Sequence, residues 1–285
     1  MSILEVNNLS FEVKGETRIH NASFVINSGD VVLLSGPNGS GKSTIVKILM
    51  GDLFDYDESM NYSASSLLYY ENNEAIDISS EKGKETFRKK VCYISQNDDL
   101  AAETLFDCFM LSIGYSDIDN KARSVFDFAR EYSIQDCFIL NSNHELNGKE
   151  KKIAKQIGVS ESELSENDKK IIKVLALKIK QMSGGQRKLS NIITNLIRVS
   201  FSDLIILDEP LNNLDYNNVR AFSNTLTRIY RNNNSIGIIV VTHCRSLPII
   251  NRVLEIKPSE KTLVSGSIHA CNSCFGEINA DGLYI

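Results

Sequence analysis

Three nearly uninterrupted apolar runs predict strands that are covered on both faces of a sheet. The runs span residues 31–34, 204–207 and 236–241. A strand with one face in solvent alternates polar and apolar side chains, whereas a strand buried on both faces loses that alternation. Runs of this kind are typical of a parallel sheet packed between helices.

Spaced apolar residues elsewhere predict strands with one solvent face. Residues 1–34 read as an antiparallel β layer, with apolar positions from Leu4 to Val13 in one strand and residues 22–26 in the next. The remaining predicted strands are residues 66–70, residues 91–95, and a closing hairpin of residues 252–256 and 262–264.

Helical periodicity dominates the middle of the chain. Residues 97–181 are predicted to be mostly helical, because apolar residues recur at helical spacing from Leu105 onwards. Ser160 and Glu163 have the form of a capping box, and Ser165 has the position of the next helix start. A second apolar stripe over residues 189–197 predicts an amphipathic helix.

A glycine-rich turn follows the first buried run and opens into an apolar helix. Residues 35–44 have the spacing of a phosphate-binding loop, and the strand before them and the helix after them support that interpretation. Glycines let successive N–H groups face one anion, and the helix N-terminus adds partial positive charge. Lys42 would reach the β- and γ-phosphates, and Ser43 would hold Mg²⁺. The chain is therefore predicted to bind a nucleoside triphosphate.

Further polar residues that could complete this site occur in the second half of the chain. Ser183-Gly184-Gly185-Gln186 begins the second amphipathic helix and offers another place for a phosphate, with a flexible hinge as the alternative. Asp208 and Glu209 follow a buried run, so strand alternation predicts that one carboxylate holds a metal and the other faces an attacking water. His243 follows the next buried run and is interpreted as functional in this company.

Composition excludes some classes of protein. The net charge of −5 over 285 residues argues against a protein that coats nucleic acid. No apolar run approaches the length that crosses a bilayer, and the N-terminus lacks the pattern of a signal peptide. We therefore expect a cytoplasmic chain that is peripheral to the membrane through a membrane-spanning partner. Cys271 and Cys274 have metal-like spacing, but reduced thiols in a tail are favoured over a zinc site that includes His269.

Each of two further features of the sequence has two possible interpretations. Tyr56, Tyr62, Tyr69 and Tyr70 could stack on bases, but packing within the β layer is favoured. The lysine-rich residues 149–152 are favoured as a solvated face, with a partner-docking surface as the alternative.

These elements, in this order, resemble the ATP-binding cassette (ABC) ATPases from about Leu4 to Ser267, nearly the whole chain. The resemblance implies the α/β fold class: a P-loop NTPase core of mostly parallel sheet flanked by helices, with an antiparallel β layer and an inserted helical subdomain. It assigns the β layer and P-loop part of the core to residues 1–96, the helical subdomain to 97–182, the remainder of the core to 183–267 and a tail to 268–285.

By the same resemblance, individual residues receive roles. Asp208 matches the Walker B aspartate, Glu209 the catalytic glutamate, Gln96 the glutamine loop and His243 the switch histidine, while residues 213–215 resemble the D-loop. The implied catalytic residues are Glu209, His243, Lys42 and Gln96, and the implied Mg²⁺ ligands are Ser43, Gln96 and Asp208. The implied ATP-binding residues are Gly36, Pro37, Asn38, Gly39, Ser40, Gly41, Lys42, Ser43, Thr44, Phe11, Ser183, Gly184, Gly185 and Gln186.

The function that the resemblance implies is the ATP-binding and hydrolysing subunit of an ABC transporter. Two cassettes, as a homodimer or a heterodimer, would sandwich two ATP molecules with Mg²⁺ and drive an integral membrane subunit. In this family the signature of one cassette, here residues 183–186, completes the ATP site of the other. The alternative is a soluble ABC ATPase that acts on ribosomes, nucleic acid or another protein assembly, although nucleic acid is not expected for this acidic chain. A P-loop kinase or GTPase is disfavoured because it would leave residues 183–186 unexplained.

Three features depart from the family pattern. Met182 begins the signature where leucine is usual, which is a conservative change. The adenine-stacking aromatic residue has Val13 as its nearest counterpart, so Phe11 is the candidate for stacking and a core position is its alternative. The stretch between Gln96 and Ser183 is longer than usual, and its extra residues are expected to influence the choice of partner.

Overall fold

A computed structural model describes residues 1–52, 60–95, 102–114, 120–138, 145–242, 247–267 and 283. The chain divides into two compact units by its internal contacts. The first unit comprises residues 1–96, 201–211 and 230–274, and the second comprises residues 97–200, 212–229 and 275–285. Several residues singled out by the sequence lie outside the described ranges, namely Tyr56, Gln96, His243, His269, Cys271 and Cys274.

The first unit holds the strands and two helices. In chain order its elements are β1 (Ser2–Val13), β2 (Glu16–Asn27), β3 (Val31–Ser35), α1 (Lys42–Met50), β4 (Met60–Ser63), β5 (Ser66–Glu71), β6 (Glu74–Asp77), α2 (Glu81–Lys90), β7 (Val91–Ile94), β8 (Leu204–Asp208), β9 (Gly237–Val241), β10 (Arg252–Lys257) and β11 (Thr262–Ser265).

One sheet of this unit is mostly parallel. Among the described residues its strand order is β11-β10-β3-β9-β8-β7, in which only the β10–β11 pair is antiparallel. Every residue of β3, β8 and β9 is buried, as the apolar runs predicted. Because these strands are parallel, their carboxyl ends meet at one edge of the sheet, which is where ligands of open α/β sheets bind.

The other sheet of the first unit is antiparallel. In the described part of the chain its order is β2-β1-β5-β6, and β4 also pairs with β1. The β1–β2 hairpin turns at Lys14 and Gly15, whose φ angles are +54° and +75°. Two consecutive left-handed residues are the geometry of the tight hairpin turn that matches the twist of paired strands.

The apolar faces of the two sheets, α1 and α2 share one hydrophobic core. Tyr69 of β5 is fully buried there, with its ring 5.5 Å from the ring of Phe87 and its hydroxyl donating to Asp203. Packing in the β layer, the favoured interpretation for the tyrosines, is therefore correct for Tyr69. Burial and the Asp203 carboxylate together raise the pKa of this phenol well above its ordinary value.

The second unit is helical. Its helices are α3 (Leu105–Ile113), α4 (Lys121–Glu131), α5 (Gly148–Ile157), α6 (Glu166–Leu175), α7 (Gly184–Leu196) and α8 (Tyr216–Asn232), the last of which ends in residues assigned to the first unit. The capping box predicted at Ser160 is present, with the N–H of Ser160 donating to Oε2 of Glu163 at 3.4 Å, and the helix start predicted at Ser165 is confirmed, with Oγ of Ser165 accepting from the N–H of Asp168. The lysines among residues 149–152 of α5 are exposed, and Nζ of Lys149 is 2.9 Å from Oε1 of Glu103.

The predicted α/β fold is confirmed, with its antiparallel β layer and helical subdomain. One predicted boundary, between residues 96 and 97, coincides with the limit of a unit. By their contacts, α7 and most of α8 group with the helical unit. The four-part functional division of the chain stays a prediction. None of the helices that the structure describes is long and apolar enough to cross a membrane.

Candidate active site

The phosphate loop connects the carboxyl end of β3 to the first turn of α1. Gly36, Gly39 and Gly41 have φ angles of +151°, +74° and +101°, which side chains rarely adopt. A Cβ atom added to Gly41 would lie 2.4 Å from Cζ of Phe11, so this position also requires glycine for space. Gly41 caps α1 without a side-chain hydrogen bond, which leaves the helix N-terminus open to an anion.

Lys42 lies at the start of α1 and is 5% exposed. Its Nζ donates to the carbonyl oxygens of Gly36 and Pro37 at 2.9 and 3.1 Å. Burial lowers the pKa of this ammonium, and the nearby carboxylates of Glu209 and Asp208 oppose that shift. The ammonium therefore sits within the curve of the loop, where it can contact phosphate oxygens.

Ser43 and Asp208 bring two oxygen donors together. The Ser43 hydroxyl donates to Oδ1 of Asp208 at 2.9 Å, and Asp208 is the last residue of the buried strand β8. Burial raises the pKa of the Asp208 carboxyl, while the Ser43 hydrogen bond, Lys47 and Lys42 lower it. A hydroxyl and a carboxylate beside a phosphate site form the donor set that Mg²⁺ prefers.

Glu209 follows Asp208 in a conformation that strand alternation does not describe. Its φ is +50°, and its N–H donates to the carbonyl of Val241 in β9 at 2.8 Å. The strand thus ends at Asp208, and the left-handed turn rather than the strand sets the direction of Glu209. The side chain is 6% exposed. Backbone strain of this kind costs about 1–3 kcal/mol and is typically stored at functional sites.

The described residues fit a nucleoside triphosphate with Mg²⁺. The loop offers open N–H groups and an ammonium, and the Ser43–Asp208 pair offers oxygen ligands. The hydroxyl of Ser40 is buried without a hydrogen-bond partner in the described part of the chain. Phosphate oxygens are strong acceptors for such donors.

Phe11 is a core residue, which corrects the expectation that it stacks on adenine. The side chain is 1% exposed, and its ring packs beneath Gly41. A ring enclosed in this way has no free face for a base. The alternative interpretation from the sequence, a core position, is the one that the structure supports.

The signature residues lie in the second unit, at the start of α7. Ser183 caps the helix: its Oγ accepts from the N–H of Gln186 at 3.2 Å, and Oε1 of Gln186 accepts from the N–H of Ser183 at 3.0 Å. This reciprocal capping box fixes the turn, so the alternative of a flexible hinge is not supported. Gly184 has open space around it.

The predicted D-loop segment contacts the signature within the same unit. A Cβ atom added to Gly185 would lie 2.9 Å from Nδ2 of Asn218 and 3.8 Å from Oδ2 of Asp215. Asp215 in turn accepts hydrogen bonds from the N–H and Nδ2 of Asn218, both at 2.9 Å. A cavity of about 440 Å³ runs along this surface, with Ser183, Gln186 and Asp215 in its wall.

A second cavity lies beside the phosphate loop and was missed by the sequence reasoning. Its volume is about 600 Å³, and its walls are the loop itself, the start of β2 and the β10–β11 turn. Arg18 and Lys261 contribute cationic side chains. Their signal in the sequence is weak, since no motif connects two basic residues that lie so far apart in the chain.

The chain has relatives of known family. It is 27% identical over 159 residues to a protein of Clostridium acetobutylicum, an alignment that covers 53% of this chain and 61% of that protein, which is less than two thirds of its length. It is 26% identical over 270 residues to the zinc uptake system ATP-binding protein ZurA of Listeria monocytogenes, covering 94% and 86% of the two chains.

The fold also matches solved structures. The structure of cbiO1 from Clostridium perfringens, described as part of the ABC transporter complex cbiONQ, superposes with a TM-score of 0.63. The match covers 93% of this chain and 88% of cbiO1 at 20% identity, so it establishes the fold alone. A family model described as "ABC transporter" matches residues 19–212, more than half of the chain. The chain therefore belongs to the ABC transporter family.

Proposed function

We propose that this chain is the ATP-binding and hydrolysing subunit of an ABC transporter, in which ATP-driven dimerisation of two cassettes powers transport. The observation that carries the proposal is the convergence of Lys42, Ser43, Asp208 and Glu209 on one phosphate loop in a member of this family. The loop and the helix N-terminus bind the phosphates, and Lys42 neutralises their charge.

Ser43 and Asp208 would hold Mg²⁺, which supplies further neutralisation of phosphate charge when it is bound. Glu209 would orient the attacking water and accept its proton at a carboxylate oxygen. The buried position of Glu209 limits the access of other water to that carboxylate. Gln96 and His243 keep their predicted roles at the metal and the γ-phosphate.

A second cassette would supply Ser183, Gly184, Gly185 and Gln186 to the nucleotide on the first. The exposed signature turn and the cavity beside it suit contact with a ligand that another subunit carries. Peripheral attachment to the cytoplasmic face of a membrane would come through an integral membrane subunit. Because ZurA is by name part of a zinc uptake system, divalent metal ions are the first substrates to test.

The enzymatic part of the proposal is tested with Glu209→Gln and Lys42→Ala. Glu209→Gln lacks the proton acceptor, so ATPase turnover falls by about 100-fold or more. This variant still binds ATP and elutes as a dimer in MgATP by light scattering. Lys42→Ala loses ATP-dependent dimer formation. Hydrolysis by Glu209→Gln at the wild-type rate would refute the role assigned to Glu209.

The partner is identified by purifying tagged Glu209→Gln with MgATP from detergent-solubilised cells. We expect an integral membrane protein in stoichiometric amount, and uptake assays with that partner then test zinc and other divalent metals. Recovery with ribosomes, nucleic acid or a soluble assembly instead would establish the alternative, a non-transport ABC ATPase.

A further inference from the structure

The cavity beside the phosphate loop has walls from three segments of the first unit. The segments are residues 15–18 at the β1–β2 turn and the start of β2, residues 37–40 of the loop, and Pro258 with Lys261 at the β10–β11 turn. The N–H of His20 donates to the carbonyl of Lys261 at 2.6 Å, which ties β2 to that turn. The cavity, about 600 Å³ in volume, is within the range of small-molecule sites.

The position of this cavity points to the nucleoside part of the nucleotide. A nucleotide whose phosphates lie on the loop must extend its ribose and base away from it, and this cavity begins at Pro37 and Ser40. The described residues of its wall include no aromatic ring. Phe11, the nearby aromatic residue considered for stacking, is enclosed in the core.

Arg18 provides a planar cationic group in the wall. It lies on the same face of β2 as Glu16, two residues away, and its Nη2 is 2.8 Å from Oε2 of Glu16. Both side chains are substantially exposed, at 43% and 69%, so the pair is weakly held and the guanidinium can turn toward a ligand. A guanidinium is planar and stacks face to face on aromatic rings, whereas the compact ammonium of lysine has no plane to stack.

We propose that Arg18 holds the base of the nucleotide by stacking its guanidinium on the base, in the cavity where an aromatic ring of β1 would otherwise serve. This inference rests on the proposed function, because the phosphate loop must first hold the phosphates. Stacking on a guanidinium uses the π face that every base has. The protein therefore binds GTP and ATP with similar affinity.

The test compares MgATP with magnesium tripolyphosphate, which has the phosphates but no base. Calorimetry in 0.3 M NaCl measures both dissociation constants for the wild type, Arg18→Ala, Arg18→Phe and Arg18→Lys. Loss of stacking raises the Kd of Arg18→Ala for MgATP by about tenfold or more. Its Kd for tripolyphosphate changes by less than about threefold, because salt screens an exposed charge.

The two other variants separate stacking from charge. Arg18→Phe restores a planar face and keeps a Kd for MgATP near that of the wild type, while Arg18→Lys behaves like Arg18→Ala. His20→Ala, an exposed position on the same face of β2, is the matched control and changes neither constant. Thermal melts of each variant verify that the fold is retained.

Three results would overturn the inference. They are an unchanged Kd of Arg18→Ala for MgATP, an equal loss for tripolyphosphate, and rescue by Arg18→Lys without rescue by Arg18→Phe. Wild-type protein that binds neither ligand would refute the proposed function and this inference with it. Wild-type protein that binds both ligands equally would refute this inference alone.

Discussion

At the scale of single residues, Asp208 lies in an environment that disfavours the charged form of its carboxyl when no metal ion is bound. It is 4% exposed, and burial raises its pKa above the ordinary value of 3.8. Between the unfolded and the folded pKa, the folded protein binds more protons than the unfolded chain. Stability therefore falls as the pH rises through that interval, and the penalty is complete above it.

Asp208→Asn should therefore stabilise the nucleotide-free protein at neutral pH. Removal of the buried charge raises Tm by a few degrees, which in a chain of this size corresponds to about 1 kcal/mol. The gain shrinks as the pH falls through the raised pKa of the wild-type carboxyl, because protonation removes the buried charge. Thermal melts from pH 4 to pH 8 measure it. MgATP should raise the Tm of the wild type by more than that of the variant. A lower Tm of the variant at pH 7.5 would contradict the assignment.

Gly41→Ala tests the close contact between the loop and the core. The variant combines a left-handed φ of +101° with a Cβ 2.4 Å from the Phe11 ring, so we expect a loss of more than about 2 kcal/mol and of ATP binding. Gly158→Ala is the matched control, because φ is +79° there but no atom lies within 4 Å of the new Cβ. Chemical denaturation measures the free energy of unfolding of both variants. Equal losses of stability would show that backbone strain, and not the clash with Phe11, destabilises Gly41→Ala.

Some of this chemistry is visible in the sequence and some is not. The spacing from Gly36 to Ser43 predicts the phosphate loop, because glycine conformation and helix polarity are local properties. The direction of Glu209 could not be predicted, since its φ of +50° depends on a hydrogen bond to Val241 in another strand. The enclosure of Phe11 likewise depends on contacts between segments distant in sequence.

At the scale of secondary structure elements, α6 and α7 begin with the same device. Ser165 and Ser183 each close a capping box at the first turn of a helix in the second unit. Only the Ser183 turn carries two glycines and borders the cavity near the D-loop segment. We therefore expect Ser165 and Ser183 to contribute similarly to stability, but only Ser183 to contribute to ATPase activity.

Ser165→Ala and Ser183→Ala measure that difference. Each variant loses one cap and about 1 kcal/mol of stability, which denaturant titration detects. Ser183→Ala should also reduce ATPase activity by about tenfold or more, whereas Ser165→Ala should keep it within about twofold, since a lost hydrogen bond to a charged group costs about 1.5–3 kcal/mol. Equal ATPase losses would assign Ser183 a structural role only.

Secondary structure elements were predictable where burial leaves a recognisable pattern of apolar residues in the sequence. β3, β8 and β9 are buried throughout, so their apolar runs identified them. The helix α2 was missed, because its sequence is mostly charged and its buried side chains include Lys84 beside Phe87. The short strand β6 is largely exposed and gives no alternation to read.

At the scale of the whole molecule, the two halves of the proposed ATP site lie in different units. The phosphate loop belongs to the first unit and residues 183–186 to the second. If two cassettes share their sites, a defect in each half should complement in a mixed dimer. That arrangement predicts which pairs of variant chains remain active.

Co-expressed chains with two different tags test it. A dimer of a Lys42→Ala chain and a Ser183→Arg chain keeps one intact shared site. We therefore expect its ATPase rate to lie between about one tenth and about one half of the wild-type rate. A dimer of the double variant with a wild-type chain has no intact site and should be inactive. Activity in the second dimer and not in the first would show that each chain completes its own site.

The contact of Gly185 with Asn218 has a consequence for how the sequence can drift over evolution. Because only 2.9 Å separates a new Cβ at position 185 from Nδ2 of Asn218, replacing this glycine requires the amide to move, and that movement would break its hydrogen bond to Asp215. A smaller residue at 218 would leave room for that Cβ, and it would lose the Nδ2 hydrogen bond to Asp215 while its backbone N–H could still donate to Oδ1. Substitutions at the two positions should therefore be correlated among descendants of this gene.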